Sequence, residues 1–327
     1  MKVFVAGATG AIGRRLVPKL LEQGHQVHGT VRSAGGAAWL RALGATPVPL
    51  DLLEPGPVRD AVRASRADAI IHEATALSGA GSRSLSNPDR TMRGTNQLRT
   101  KGTDALLVAA RDAGVPRFIA QSYTGWPNAR TGGPVKTETD PLDPDPLPKT
   151  RRSLAAIQYL EQKVVEAGGL ALRYGWFYGA PDDPMAKSVR RRRLPLIGEG
   201  SGVWSFIHYD DAAEATVHAL ERGEAGVYNV VDDDPAPAHV WLPTLAAMLG
   251  APPPRHLPRV VARVLVGDAP VMLMTEIRGA SNAKAKRELG WMLRYPSWRV
   301  GFAASYGGKA VDRSGRFVRP DIGGAHV

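Results

Sequence analysis

Gly7, Gly10 and Gly13 fall between an apolar run, Val3-Phe4-Val5-Ala6, and a helical pattern carried by Leu16, Leu20 and Leu21. Glycines so placed let the backbone turn with positive φ and approach an anion with no Cβ in the way. The helix opening behind them presents N–H groups that lack partners and the positive end of its dipole. The chemistry predicted here is phosphate binding, with Thr9, Ala11 and Ile12 completing the turn. The spacing is Gly-x-x-Gly-x-x-Gly rather than Gly-x-Gly-x-x-Gly. An ordinary turn uses glycines too, so the placement between strand and helix carries the reading of a dinucleotide site.

The second chemical signal is Arg32, at the end of a strand read over Gln26 to Val31. An acidic residue there would hold a ribose 2′-hydroxyl, whereas an arginine accommodates a 2′-phosphate through paired, charge-assisted hydrogen bonds. With Arg14 and Arg15 just behind the glycines, this predicts NADP(H) over NAD(H); the alternative is a solvated surface arginine. A third signal is Ser122-Tyr123, where the strand beginning at Arg117 ends. Ligands of open α/β sheets lie beyond the carboxyl ends of the strands. The Tyr123 hydroxyl can polarise a carbonyl or donate a proton there, or the ring can simply line the cleft.

The elements that position these residues alternate. Strands are read at Lys2–Ala6, Gln26–Val31, Thr46–Leu50, Ala69–Thr75 and Arg117–Gln121, with helices between them and a long helix over Asn96–Gly114. A chain of 327 residues with 43% hydrophobic content suits one large or two modest domains with a sizeable core. The absence of cysteine excludes disulfides, thiolate metal sites and a cysteine nucleophile, and no metal is expected. The net charge of +11 is spread along the chain apart from Arg190–Arg193. No nucleic-acid-binding motif accompanies it, so an anionic small molecule is the expected partner. The longest apolar run, Val260 to Met274, is interrupted by Arg263 and Asp268, and Met-Lys-Val-Phe-Val enters a strand at once. No membrane association and a cytoplasmic location are therefore expected.

Gly7-Ala8-Thr9-Gly10-Ala11-Ile12-Gly13 resembles the N-terminal motif of the extended and atypical short-chain dehydrogenases/reductases, the superfamily of the NAD-dependent epimerases and dehydratases. The resemblance extends through Asp51-Leu52, His72-Glu73-Ala74-Thr75, Gly102–Leu107, Leu170–Gly179, Phe206–Ala213 and Ser281–Trp291. It implies an α/β fold: a Rossmann doubly wound parallel sheet with a smaller C-terminal substrate-binding domain. Residues 1–175 form the dinucleotide-binding domain, with a return segment near 204–232; 176–203 and 233–310 form the substrate lobe, and 311–327 a disordered tail. It further implies that Asp51 and Leu52 contact the adenine and that Ala74 and Thr75 neighbour the middle of the cofactor. Asp51 also suits a turn cap, and His72 reads as a packed strand residue. Relatives often pair two long helices across a dimer axis, which leaves a homodimer open.

Three departures bear on the reaction. Ser122 matches the first member of the family's double serine, but Tyr123 stands at the catalytic second place. Arg99 holds the position of the family asparagine, with Asn96 a turn earlier. Tyr159 and Lys163 fit the letters of the family's Tyr-x-x-x-Lys dyad but lie too far along their helix. Anchoring on Glu161 puts Ser153 at the tyrosine position and Ile157 at the lysine position, so the dyad reads as missing. The expected function is an NAD(P)-dependent oxidoreductase acting on a carbonyl or alcohol of an apolar or aromatic small molecule, with Ser122 and Tyr123 as catalytic candidates. A non-redox cyclase, epimerase or lyase on the same scaffold, and an NADP(H)-sensing regulatory protein, are the alternatives. Trp176, Phe177, Tyr178, Met185 and Trp204 are candidate pocket walls, with core packing as the other option.

Overall fold

Val3, Phe4, Val5 and Ala6 have no solvent exposure, because β1 (Lys2–Ala6) runs through the middle of a sheet covered on both faces. The computed structural model describes residues 1–77, 87–180 and 183–307, with the backbone of the short pair Ala310–Val311 and Phe317–Val318. Apart from those strand residues, the tail expected to be disordered lies outside the described residues.

From β1 the chain passes through α1 (Gly13–Glu22), β2 (Gln26–Val31), α2 (Ala34–Ala42), β3 (Thr46–Pro49), α3 (Pro55–Ser65) and β4 (Ala69–His72). Two short helices, α4 (Pro88–Thr91) and α5 (Arg93–Gln97), lead through a π-helical turn (Leu98–Gly102) into α6 (Thr103–Ala113). Then follow β5 (Arg117–Tyr123), β6 (Val135–Lys136), α7 (Arg151–Glu166), β7 (Leu170–Tyr174) and β8 (Trp176–Tyr178). After α8 (Pro184–Arg190) come β9 (Leu196–Ile197), β10 (Val203–Trp204), β11 (Phe206–His208), α9 (Tyr209–Glu221) and β12 (Gly226–Val230).

The main sheet has seven strands in the order β12-β7-β5-β4-β1-β2-β3, all parallel. Successive side chains of a strand point to opposite faces. Val3 and Val5 accordingly pack with Leu16 and Leu20 of α1 and Ala212 and Ala215 of α9. Phe4 and Ala6 pack with Val58 and Val62 of α3, Leu106 of α6 and Leu160 and Val164 of α7. The chain winds one way from β1 to β3 and the other from β4 outward, so a crevice opens at the carboxyl ends of β1 and β4. The glycine turn sits there.

A separate aromatic core is built on Tyr178, Trp204, Phe206, Trp241, Trp298 and Phe302. Two expected pocket walls, Tyr178 and Trp204, are thus core residues, and Phe177 stacks on Tyr209 at 4.9 Å. Trp176 and Met185 keep partial exposure. Arg190–Arg193 form an exposed helix end.

The expected helix over Asn96–Gly114 is instead interrupted by the π turn. Carbonyls that such a turn frees need other donors. Thr100 Oγ1 donates to the Asn96 carbonyl (3.0 Å). The His72 imidazole, at 3.3 Å, and the Thr103 hydroxyl, at 3.4 Å, reach the Leu98 carbonyl. Burial pushes the His72 pKa down to about 4, so the ring is a neutral strut, as its place in a strand suggested.

Candidate active site

Gly7 has φ +91°, and a Cβ on it would lie 2.7 Å from the Ala74 amide nitrogen, so the glycine turn rests directly on the chain leaving β4. A Cβ on Gly13 would lie 2.4 Å from the Gly7 carbonyl oxygen and 2.5 Å from that of Ala8. The turn is closed by Gly10 N–H donating to the Gly7 carbonyl (2.9 Å) and by Gly7 N–H donating to Thr30 Oγ1 (2.9 Å). No side chain caps α1 and no acid stands in its first turn; Arg14 and Arg15 N–H donate to the Gly10 and Ile12 carbonyls, which leaves the amides of Ala11, Ile12 and Gly13 for an anion. A bare cradle under an uncapped helix fits the diphosphate of a pyridine dinucleotide.

The arginines beside the turn divide their roles. Arg15 is committed: it donates to Asp210 (2.8 Å) and the Ala11 carbonyl (3.0 Å) and stacks over Tyr209. Arg14 lies 4.8 Å over the Trp39 ring. Arg32 is exposed and has no partner among the described residues, while its neighbour Ser33 caps α2 through Gly36 N–H at 3.2 Å. Asp51 accepts from Leu53 N–H at 2.9 Å, a turn-capping bond, and Leu52 is buried beneath it. Ala74 and Thr75 leave β4 half-buried beside Gly7.

At the end of β5, the two catalytic candidates part company. Ser122 Oγ donates to Glu161 Oε1 at 2.6 Å, and Glu161 is gripped by Arg173 through bonds of 2.7 and 2.6 Å. All three are buried. The Ser122 hydroxyl, a catalytic candidate from the sequence, is thus engaged in tying β5 to α7. Tyr123 sits edge-on to Trp176, 5.7 Å between ring centres, and its hydroxyl has no hydrogen-bond partner among the described residues. Burial holds that phenol well above its ordinary pKa, with nearby Arg99 acting in the opposite sense.

Along α7, Ser153, Ile157 and Glu161 follow one another at four-residue steps and share the buried face. The Ser153 hydroxyl donates to Asp89 (2.7 Å) and accepts from Asn96 (3.0 Å). Tyr159 points the other way. Its hydroxyl donates to both oxygens of Asp104, at 2.8 and 2.9 Å, a bond that raises its pKa, and it lines an outer groove of about 750 Å³. Lys163 pairs with Glu166 at 3.2 Å instead of serving the phenol. A Tyr159→Phe variant is therefore expected to change turnover by less than about twofold. Abolished turnover in a folded protein would place the dyad at Tyr159 after all.

Sequence reasoning passed over Glu73. It is buried behind the glycine turn, accepts from the Tyr174 hydroxyl at 2.9 Å, and has its pKa pushed up to about 8 by burial. At neutral pH it is largely a neutral acid bridging β4 and β7.

A parallel sheet with a bare glycine turn at its switch point and a phenol at the next strand end define a pyridine-dinucleotide oxidoreductase. Comparison with known proteins gives the same class. The model of the NAD dependent epimerase/dehydratase family matches residues 3–231, and the chain belongs to that family. It is 42% identical over 310 residues, covering 92% of this chain and 99% of the relative, to the 3-diazoavenalumate denitrifying reductase of a Streptomyces species. It is 29% identical to the 2-alkyl-3-oxoalkanoate reductase of Stenotrophomonas maltophilia, over 77% of each chain. The UDP-glucose 4-epimerase of Thermus thermophilus, solved in complex with NAD, shares the fold: the TM-score is 0.69 at 23% identity, covering 94% of this chain and 99% of that one. This chain is an NAD(P)-dependent oxidoreductase of the epimerase/dehydratase type. Among the described residues no helix is long and apolar enough to cross a membrane.

Proposed function

We propose that this protein is an NADPH-dependent reductase that replaces a diazo group of an apolar or aromatic small molecule with hydrogen. The observation that carries this reading is the buried face of α7, where Ser153 and Ile157 occupy the places of the proton-handling tyrosine and lysine. Reducing a carbonyl leaves an alkoxide that must be protonated. A diazonium carbon makes no such demand: it gains a C–H bond while the C–N bond breaks, and that electron pair leaves with dinitrogen. The dihydronicotinamide, when bound, supplies the hydride. Gly7, Thr9, Gly10, Ala11, Ile12 and Gly13 hold the diphosphate, Asp51 and Leu52 border the adenine, and Ala74 and Thr75 flank the middle of the dinucleotide. Tyr123 and Trp176 wall the acceptor side. The 42% identity to a denitrifying reductase supports the same chemistry.

A second reading, ketone reduction, is favoured by the unbonded Tyr123 phenol, which has a proton to give, and by the likeness to an oxoalkanoate reductase. The two separate in one assay. The protein, NADPH and either 4-carboxybenzenediazonium or 4-acetylbenzoate are mixed, and nicotinamide absorbance and released dinitrogen are followed against an enzyme-free control. Dinitrogen formed in step with NADPH oxidation is the expected result. NADPH oxidation with the ketone alone would replace the first reading by the second.

Arg32 carries the choice of nucleotide. Losing a charge-assisted bond to the 2′-phosphate costs about 1.5–3 kcal/mol, so Arg32→Ala is expected to weaken NADPH binding roughly 10- to 150-fold. NADH binding should be unchanged by calorimetry; an equal loss for both nucleotides contradicts the assignment.

A further inference from the structure

Arg99 is 8% exposed, yet its guanidinium forms no hydrogen bond or ion pair among the described residues. Its nitrogens are not sealed from solvent, so a ligand can reach this cation, which no group among the described residues holds directly. The neighbourhood does not supply the partner. Glu161, whose charge Arg99 feels, already accepts three hydrogen bonds, from Ser122 and Arg173 at one oxygen and from Arg173 at the other, and none from Arg99. The other group acting on Arg99 is Tyr123, whose phenol stays neutral because burial opposes its ionisation. Two buried guanidiniums therefore share one carboxylate, leaving one positive charge unmatched. Burial lowers the Arg99 pKa only to about 10, so the charge persists at neutral pH. The backbone is shaped to deliver it: Arg99 lies within the π turn, whose freed Leu98 carbonyl is held by His72 and Thr103.

We propose that Arg99 is a substrate-binding residue that, together with the Tyr123 hydroxyl, receives an anionic oxygen of the acceptor molecule, a carboxylate or a phenolate, and so sets which end of the molecule faces the hydride donor. This deepens the reductase reading and rests on it for the word acceptor; the anion site itself rests on Arg99 alone. Arginine suits the task because its planar fork makes paired bonds to an oxyanion.

The test uses the full chain saturated with NADP⁺, titrated with 4-hydroxycinnamate, its methyl ester (no carboxylate) and 4-methoxycinnamate (no phenol), with tryptophan fluorescence as readout. Wild type is expected to bind 4-hydroxycinnamate, and Arg99→Met to weaken it about 10- to 100-fold. Arg99→Lys is expected to recover part of the loss, and NADPH affinity to remain that of wild type in both variants, which also certifies their fold. The analogue whose binding no longer depends on Arg99 identifies the oxygen that the arginine holds. Equal binding of every probe by wild type and Arg99→Met, failure of wild type to bind any of them, or a parallel loss of NADPH affinity overturns the proposal. Arg99-dependent binding in a protein that reduces no diazo compound leaves the anion site standing and removes only the reductase reading.

Discussion

Gly13→Ala is expected to abolish dinucleotide binding, with NADPH affinity falling by about a thousandfold or more. The added Cβ would stand 2.4 and 2.5 Å from two backbone carbonyl oxygens of the turn, contacts that no side-chain rotamer can relieve. Either the turn or the start of α1 must move, and both carry the amides proposed to hold the diphosphate. Losing two or three charge-assisted bonds at about 1.5–3 kcal/mol each accounts for an effect of that order. Gly56→Ala is the control, because a Cβ there meets nothing within 4 Å. Calorimetry on both variants, with circular dichroism to confirm the fold, decides the matter. Retained NADPH affinity in Gly13→Ala would mean that the turn is not the phosphate cradle.

Glu161→Ala is expected to cost about 3–5 kcal/mol of stability, because removing one partner of a buried ion pair strands the other. Here the loss leaves Arg173 without its counter-charge and frees the Ser122 hydroxyl, and it raises the unmatched charge already present at Arg99. The fall in Tm should be of order 10 °C. Glu161→Met combined with Arg173→Met should recover part of it, since removing both charges is far cheaper than removing one. A Tm within a degree or two of wild type for Glu161→Ala would show that the pair is not buried as described. It would also remove the anchor for the register of α7.

Much of the nucleotide half was legible in the sequence because its signals are local. Val3–Ala6 is uninterruptedly apolar because it is buried on both faces, and Gly7, Gly10 and Gly13 are glycines because backbone stands where a Cβ would go. The register of α7 was read from Glu161, with Tyr159 judged too far along the helix, and Ser153, Ile157 and Glu161 share its buried face. What escaped notice is non-local. Nothing near Ser122 announces that its hydroxyl is taken by a residue on α7, or that Glu73 is buried against a tyrosine of β7, a burial that raises its pKa. The π turn escaped because no residue of Leu98–Gly102 announces it in the sequence. Aromatic residues near the second lobe were ambiguous for a related reason: Trp204 and Tyr178 pack a core, whereas Trp176 retains a face toward Tyr123.

The most direct measurement is a calorimetric titration of the purified wild-type protein with NADPH and, separately, NADH. A single site per chain that takes NADPH at least tenfold more tightly than NADH is the result expected from the glycine turn and Arg32. Absence of binding by both nucleotides would contradict the assignment of the turn, and with it the oxidoreductase chemistry built on it.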